Sequence, residues 1–278
     1  MTINCNGKLI ELQTPKIMGI LNLTEDSFYD GGKHNSILKA IKQTEKMLNE
    51  GATIIDIGAQ STRPNAKFIS SKEEWKLLKD VVKQIIKNFP TVVFSIDTFW
   101  SEVAENCINE GFSMINDISG GTIDDKMFET VGKLKVPYVL MHIKGTPQTM
   151  QQNVDYDNII KDINFYFAEK IQKLKSFGLN DLILDVGFGF SKTVEQNYEL
   201  LSKLELIGFA HHPILVGISR KSMIYKALNI NTNDALNGTT ALHLEALQKG
   251  AKILRVHDVK EAKECITLYE TLEKYKNE

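Results

Sequence analysis

The sequence predicts an α/β fold, a (β/α)8 TIM barrel preceded by an N-terminal β-hairpin, and three observations carry that reading. Eight short apolar, β-branched runs recur along 278 residues, amphipathic stretches separate them, and no change of composition divides the chain. Strands alternating with helices make a parallel sheet, and eight such units in a row favour closure into a barrel. The expected organisation is therefore a single unit over 1–278, with 1–15 forming the hairpin and 16–278 the barrel.

Residues 3–12 alternate about Asn6-Gly7, a dipeptide suited to a tight hairpin turn, and would plug the bottom of the barrel. The eight runs follow as KIMGILNL, TIIDIGA, TVVFSIDT, SMINDIS, YVLMHIK, LILDVGFGF, PILVGIS and KILRVHD. Between them, Ile37, Ile41, Met47 and Leu48, or Trp75, Leu78, Val82, Ile85 and Ile86, recur at helical spacing. Ser71 with Glu74 reads as a capping box, and Gly51, Gly111, Gly178 and Gly250 each stand between a helix and the next strand. A doubly wound sheet is the structural alternative, but the phosphate-binding glycine signatures it often carries are missing, and GFGF at 187–190 lacks the third glycine.

A formal net charge of -2 gives no global pull toward nucleic acid or an acidic lipid surface. Cys5, Cys107 and Cys265 are odd in number and far apart, which fits a reducing cytoplasm better than a disulfide framework. No stretch approaches the roughly 20 apolar residues of a membrane span, and no targeting signal is expected. Of 33 basic residues only Arg63, Arg220 and Arg255 are arginine. Arginine grips carboxylate or phosphate in fixed geometry where lysine serves for solubility, so each of the three is a candidate ligand contact.

Barrel chemistry sits in the loops after the strands, and nearly every apolar run here ends in polar residues. In order these are Asn22, Ser61-Thr62-Arg63, Asp97, Asn116-Asp117, His142 and Lys144, Asp185, Arg220-Lys221, and Arg255 with His257. Burying so many polar groups unpaired would cost about 1–3 kcal/mol each, so a polar ligand is expected to meet them. Arg63, Arg255 and Asn22 end neighbouring strands and suit a diphosphate with Mg²⁺, which prefers hard oxygen ligands. Asp97, Asn116, Asp185 and Lys221 suit a flat, nitrogen-rich heterocycle. Asp56 reads equally as a satisfied interior carboxylate, Asp117 as a loop support, and His142 as a core histidine. His34, His211, His212 and His243 have no metal-ligand spacing and read as surface or packing residues.

The motifs MGILNLTEDSFYDGG, IIDIGAQSTRPNA, SIDT, MINDISGG, MHIKGTPQTMQ, LILDVGFGFSKT, GISRKS and LRVHDV, in this order, resemble the dihydropteroate synthase family from about Lys16 to Lys260. The resemblance implies a pterin-binding barrel joining 6-hydroxymethyl-7,8-dihydropterin diphosphate to 4-aminobenzoate. By matching position it implies Asp97, Asn116, Asp185 and Lys221 as pterin contacts, with Asp97, Asp185, Lys221 and Arg255 as the catalytic set. It implies Asn22, Thr62, Arg63, Arg255 and His257 around the diphosphate, with Asn22 the Mg²⁺ ligand. Phe28, Thr62, Pro64, Phe190, Lys221 and Ser222 would border the aminobenzoate, where sulfonamides would compete, and a homodimer is implied. Glu25, Gln60, Asn65 and Val186 depart from the family pattern, and loss of charge at Gln60 is expected to alter loop ordering. A corrinoid methyltransferase with a similar barrel, a silent pterin-binding paralogue, and an aldolase using Lys144 or Lys221 as a Schiff base remain alternatives.

Overall fold

The computed structural model describes residues 1–23, 32–60, 68–208 and 211–276. Two strands, β1 (Thr2–Cys5) and β2 (Lys8–Glu11), pair antiparallel with Ile3 opposite Ile10. Asn6 and Gly7 turn between them with φ of 53° and 88°, the left-handed pair that a two-residue hairpin requires.

Eight parallel strands then close into a barrel: β3 (Lys16–Asn22), β4 (Ile54–Gly58), β5 (Val93–Asp97), β6 (Met114–Asp117), β7 (Tyr138–Met141), β8 (Leu182–Asp185), β9 (Ile214–Val216) and β10 (Ile253–Val256). β10 returns to pair with β3, Arg255 lying opposite Met18. Among the described residues the α-helices are α1 (Gly32–Asn49), α2 (Ser71–Asn88), α3 (Ser101–Asn109), α4 (Met127–Leu134), α5 (Ile159–Ser176), α6 (Val194–Ser202), α7 (Ser222–Leu228), α8 (Leu236–Gln248) and α9 (Val259–Tyr275). This is the expected (β/α)8 architecture, and none of these helices is long and apolar enough to cross a membrane.

Strand side chains alternate between the two faces of the sheet. Ile55, Ile57, Phe94, Ile96, Ile115, Leu140, Leu184, Val216 and Leu254 face outward and pack with the helices in the main core. Met18, Ile54, Val93, Met114, Val139, Ile183, Leu215 and Ile253 face inward near the strand starts, sealed from below by Ile3, Cys5, Ile10 and Leu12 of the hairpin segment. Each such buried aliphatic group contributes roughly 1.5–3 kcal/mol. Two residues further along every strand, the same inward parity reaches Ile20, Asp56, Ser95, Asn116, Met141, Asp185, Gly217 and Arg255. The fold thus sets a polar layer directly above an apolar plug.

The four predicted glycine boundaries hold, with φ of 107° at Gly51, 115° at Gly111, 81° at Gly178 and 93° at Gly250. The capping box is one residue earlier than expected. Ser70 caps α2 and Glu73 completes the box, because Glu74 is buried and bonded instead to Thr98 and Gln60.

Candidate active site

Arg255 forms the centre of the polar layer. Its Nε donates to Asp56 Oδ2 at 2.7 Å and its Nη2 to Asp97 Oδ2 at 2.5 Å. Asp56 Oδ2 also accepts from Asn116 Nδ2 at 2.9 Å. Asp56 and Asn116 are essentially inaccessible, and Asp97 and Asp185 are buried at the upper edge of the same layer. Within the described residues, Asp56 Oδ1, Asn116 Oδ1 and Ser95 Oγ are buried with no hydrogen-bond partner. Such a group costs about 1–3 kcal/mol when nothing meets it, and these three lie at one level of the barrel on neighbouring strands.

The facing wall comes from the loops after β8 and β9. Asp185 Oδ1 accepts from Gly187 N at 2.8 Å, which turns the chain sharply at the strand end. Gly187 has φ of 68°, and a Cβ there would lie 2.1 Å from the His142 carbonyl oxygen, so only glycine allows this turn. Lys221 stands at the start of α7, its Nζ 2.5 Å from the Phe188 carbonyl oxygen and 4.7 Å from the Phe190 ring centroid. Gly217 lies beside both cations, since a Cβ there would stand in ordinary contact at 3.8 Å from Arg255 Cβ and 3.9 Å from Lys221 Nζ.

Charge crowding tunes these groups. Burial pushes Asp97 up to about 7; Arg255 pulls it down, while Asp56, Asp117 and Asp185 add to the rise. Burial likewise raises Asp185 against the pull of Lys221, the Gly187 N–H and Arg255. Burial lowers Lys221 to about 8, with Asp185 opposing and Arg255 assisting. Burial disfavours the Arg255 charge too, but Asp56 and Asp97 outweigh it and hold the guanidinium above its ordinary value. The layer therefore offers acceptors below, a permanent cation among them, and a lysine of lowered basicity at its side.

Asp97, Asn116, Asp185, Lys221 and Arg255, predicted from strand ends, are thus brought together at the strand ends of the barrel. Asn22 is exposed at the end of β3, opposite Gly58, and His257 is exposed at the rim with its N–H on Ser219 Oγ at 3.2 Å. Phe190 and Ser222 are half-buried beside Lys221. Phe28, Thr62, Arg63 and Pro64 lie outside the described residues, as do Glu25 and Asn65. Arg220 belongs to a different construction: it pairs with Asp258 through two bonds of 2.8 Å and bonds the Asn233 carbonyl at 2.9 Å, tying the β9 and β10 loops together. Asp117 is a loop support, accepting from Ser119 N, Gly121 N and the Tyr138 hydroxyl. His142 is a core histidine, buried and lowered by burial, Lys192 and Lys144.

Sequence reasoning gave no role to Lys192, which is buried with Nζ 3.1 Å from His142 Nδ1 and 3.0 Å from each of the Gly187 and Phe190 carbonyl oxygens. Its lysine type and loop position gave no signal of this. At Gln60 the side-chain amide clasps Ile69, donating to its carbonyl at 2.9 Å and accepting from its N–H at 3.3 Å, and donates to Glu74 at 3.2 Å. The neutral amide supplies both a donor and an acceptor there, which a glutamate could not do when ionised.

A closed barrel whose strand ends bring carboxylates, an amide, a lysine and a fixed cation to one level defines the class of small-molecule barrel enzymes. The sequence profile described as pterin binding enzyme matches residues 18–257. The chain is 41% identical over 272 residues to the dihydropteroate synthase of Escherichia coli, covering 97% of this chain and 96% of that protein, and 42% identical over 272 residues to that of Haemophilus influenzae, covering 97% and 98%. Among solved structures, the dihydropteroate synthase of Yersinia pestis, in complex with a sulfonamide drug, superposes with a TM-score of 0.92 at 39% identity, covering 99% of this chain and all of that one. The Xanthomonas albilineans enzyme with 4-aminobenzoic acid gives 0.90 at 32% identity, covering 98% of each chain. The chain belongs to the pterin-binding enzymes and, within them, to the dihydropteroate synthase family of transferases.

Proposed function

We propose that residues 1–278 act as one catalytic domain that condenses 6-hydroxymethyl-7,8-dihydropterin diphosphate with 4-aminobenzoate to 7,8-dihydropteroate and diphosphate. The observation that carries this reading is the Asp97–Arg255–Asp56–Asn116 constellation, with Asp185 and Lys221 beside it. Carboxylate and amide oxygens at Asp97, Asn116 and Asp185 accept from the N–H groups of the pterin, and Lys221 donates to its carbonyl edge. The C–O bond to diphosphate breaks ahead of C–N bond formation, and the positive charge left on the methylene spreads into the ring. Asp97 and Asp185 stabilise that charge, while Arg255, with Arg63, Thr62, His257 and Asn22, receives the departing diphosphate. The arylamine then forms the C–N bond and gives up one proton, so no covalent enzyme intermediate is needed.

Phe190, Lys221 and Ser222, with Phe28, Thr62 and Pro64, border the aminobenzoate in this reading. A sulfonamide would compete for the same place, in keeping with the drug complex of the Yersinia pestis relative. Mg²⁺ fits the donor set in one way. Asn22 offers an exposed hard oxygen at the barrel mouth, and among the described residues no cluster of three or more His, Cys, Asp or Glu side chains joins it. That suits an ion held chiefly by diphosphate and water. When bound it would neutralise charge on the leaving group. A cytoplasmic homodimer is the proposed setting. Three free cysteines support a reducing compartment, and Leu268, Leu272 and Tyr275, exposed along α9, supply an apolar stripe for a second copy.

The test is turnover by the purified chain with Mg²⁺. Dihydropteroate should form, with matching diphosphate release, only when both substrates are present. Retained pterin binding without turnover would assign the chain to a silent paralogue.

A further inference from the structure

We infer that Asp56 is a positioning residue that sets the ligand specificity of the pocket by fixing which end of the Asn116 amide faces the ligand. This rests on the reading of the polar layer as the pterin site. A carboxylate oxygen can only accept, so the Asn116 group that meets Asp56 Oδ2 at 2.9 Å must be the NH2. The opposite end, Oδ1, is then left buried and without a partner in the structure, and in the pterin reading it is the end that meets the ligand as an acceptor. Without Asp56 the amide could turn over at little cost, since its two ends have nearly the same shape, and offer a donor instead.

Asp56 is itself held firmly. Its Oδ2 takes the Arg255 Nε as well, at 2.7 Å, and its side chain is wholly inaccessible between β3 and β5. Two donors on one oxygen fix the carboxylate, the carboxylate fixes the amide, and the amide completes a wall in which Asp97, Asn116 and Asp185 all accept. Such a wall admits a ring edge bearing N–H groups and repels one bearing oxygen. Leaving a buried acceptor opposed by another acceptor discriminates more sharply than apolar fit does.

The experiment compares calorimetric binding of 6-hydroxymethyl-7,8-dihydropterin, without diphosphate, and of its analogue with the ring amino group replaced by oxygen. The native chain should prefer the amino ring by on the order of 10-fold or more, about 1.4 kcal/mol. Asp56→Ala should reduce that preference to within about 3-fold, and Asp56→Asn, whose amide oxygen can still accept from Asn116, should restore it. Asn116→Ala leaves Asp56 and its Arg255 bond in place and should erase the preference as well, and Asp56→Asn, read against the native chain, keeps the test decisive if Asp56→Ala does not fold. Equal weakening of both ligands in Asp56→Ala would reduce Asp56 to a structural role and overturn the inference. A loss in Asp56→Asn as deep as in Asp56→Ala would place the carboxylate on the ligand itself and overturn it too. A native chain that binds neither ring would instead defeat the pterin reading.

Discussion

Two inward layers of the same barrel stand two residues apart and serve opposite ends. The lower, of Met18, Ile54, Val93, Met114, Val139, Ile183, Leu215 and Ile253, is apolar and closed by the hairpin segment. The upper holds Asp56, Asn116, Asp185 and Arg255 at the same parity, with Asp97 two residues beyond Ser95, and leaves buried acceptors unpaired. Strand geometry is equal in both, so the difference is side-chain chemistry alone. The lower layer contributes stability, and the upper gives some of it up to hold groups ready for a ligand.

The sharpest way to break that contrast is Arg255→Ala, which removes the cation shared by Asp56 and Asp97. Turnover should fall by on the order of 10³-fold, with diphosphate binding weakened more than binding of the bare pterin. Equal losses for the two ligands would defeat the diphosphate role of Arg255. Ile54→Ala should do the reverse in the lower layer. Denaturant unfolding should show a loss of about 3 kcal/mol, while kcat stays within about 3-fold of native.

The pH profile of kcat/KM offers a smaller effect, about 10-fold per pH unit outside the optimum. Asp97, raised to about 7, is protonated below that value and loses an acceptor, and Lys221, lowered to about 8, loses its charge above that value. The optimum should be narrow and lie between the two. Lys221→Arg should abolish the alkaline limb and leave the acid limb in place.

How far the sequence disclosed this contrast depended on what each residue's signal was. The strand ends were legible because β-branched runs are short and end in polar residues, and the structure brings Asp97, Asn116, Asp185 and Lys221 together with Arg255, which the sequence placed in a separate diphosphate set. The cap of α2 was misplaced because Ser70-Ser71-Lys72-Glu73-Glu74 contains the capping pattern twice, and only tertiary contact decides between them: Glu74 is drawn inward to Thr98 and Gln60. Arg220 and Arg255 look alike as strand-end arginines, yet Asp258 saturates the first on the outside while the second is shared among carboxylates inside. Lys192 could not be found in advance, because its burial depends on a contact between the loop after β8 and His142, just past the end of the neighbouring β7.

The most direct test of the division between layers is Asp97→Asn, measured by melting temperature and turnover across pH. The folded chain holds a proton on Asp97 that the unfolded chain has already released, so this group's contribution to stability is present below about pH 4 and is lost as pH rises through about 7. Replacing it with a neutral amide removes that penalty. The variant should therefore have a Tm at pH 8 equal to or above the native one, a difference that shrinks toward pH 4, and no measurable turnover. A Tm at pH 8 lowered as far as by Ile54→Ala, or turnover that survives, would show that the upper layer is ordinary core and contradict the account.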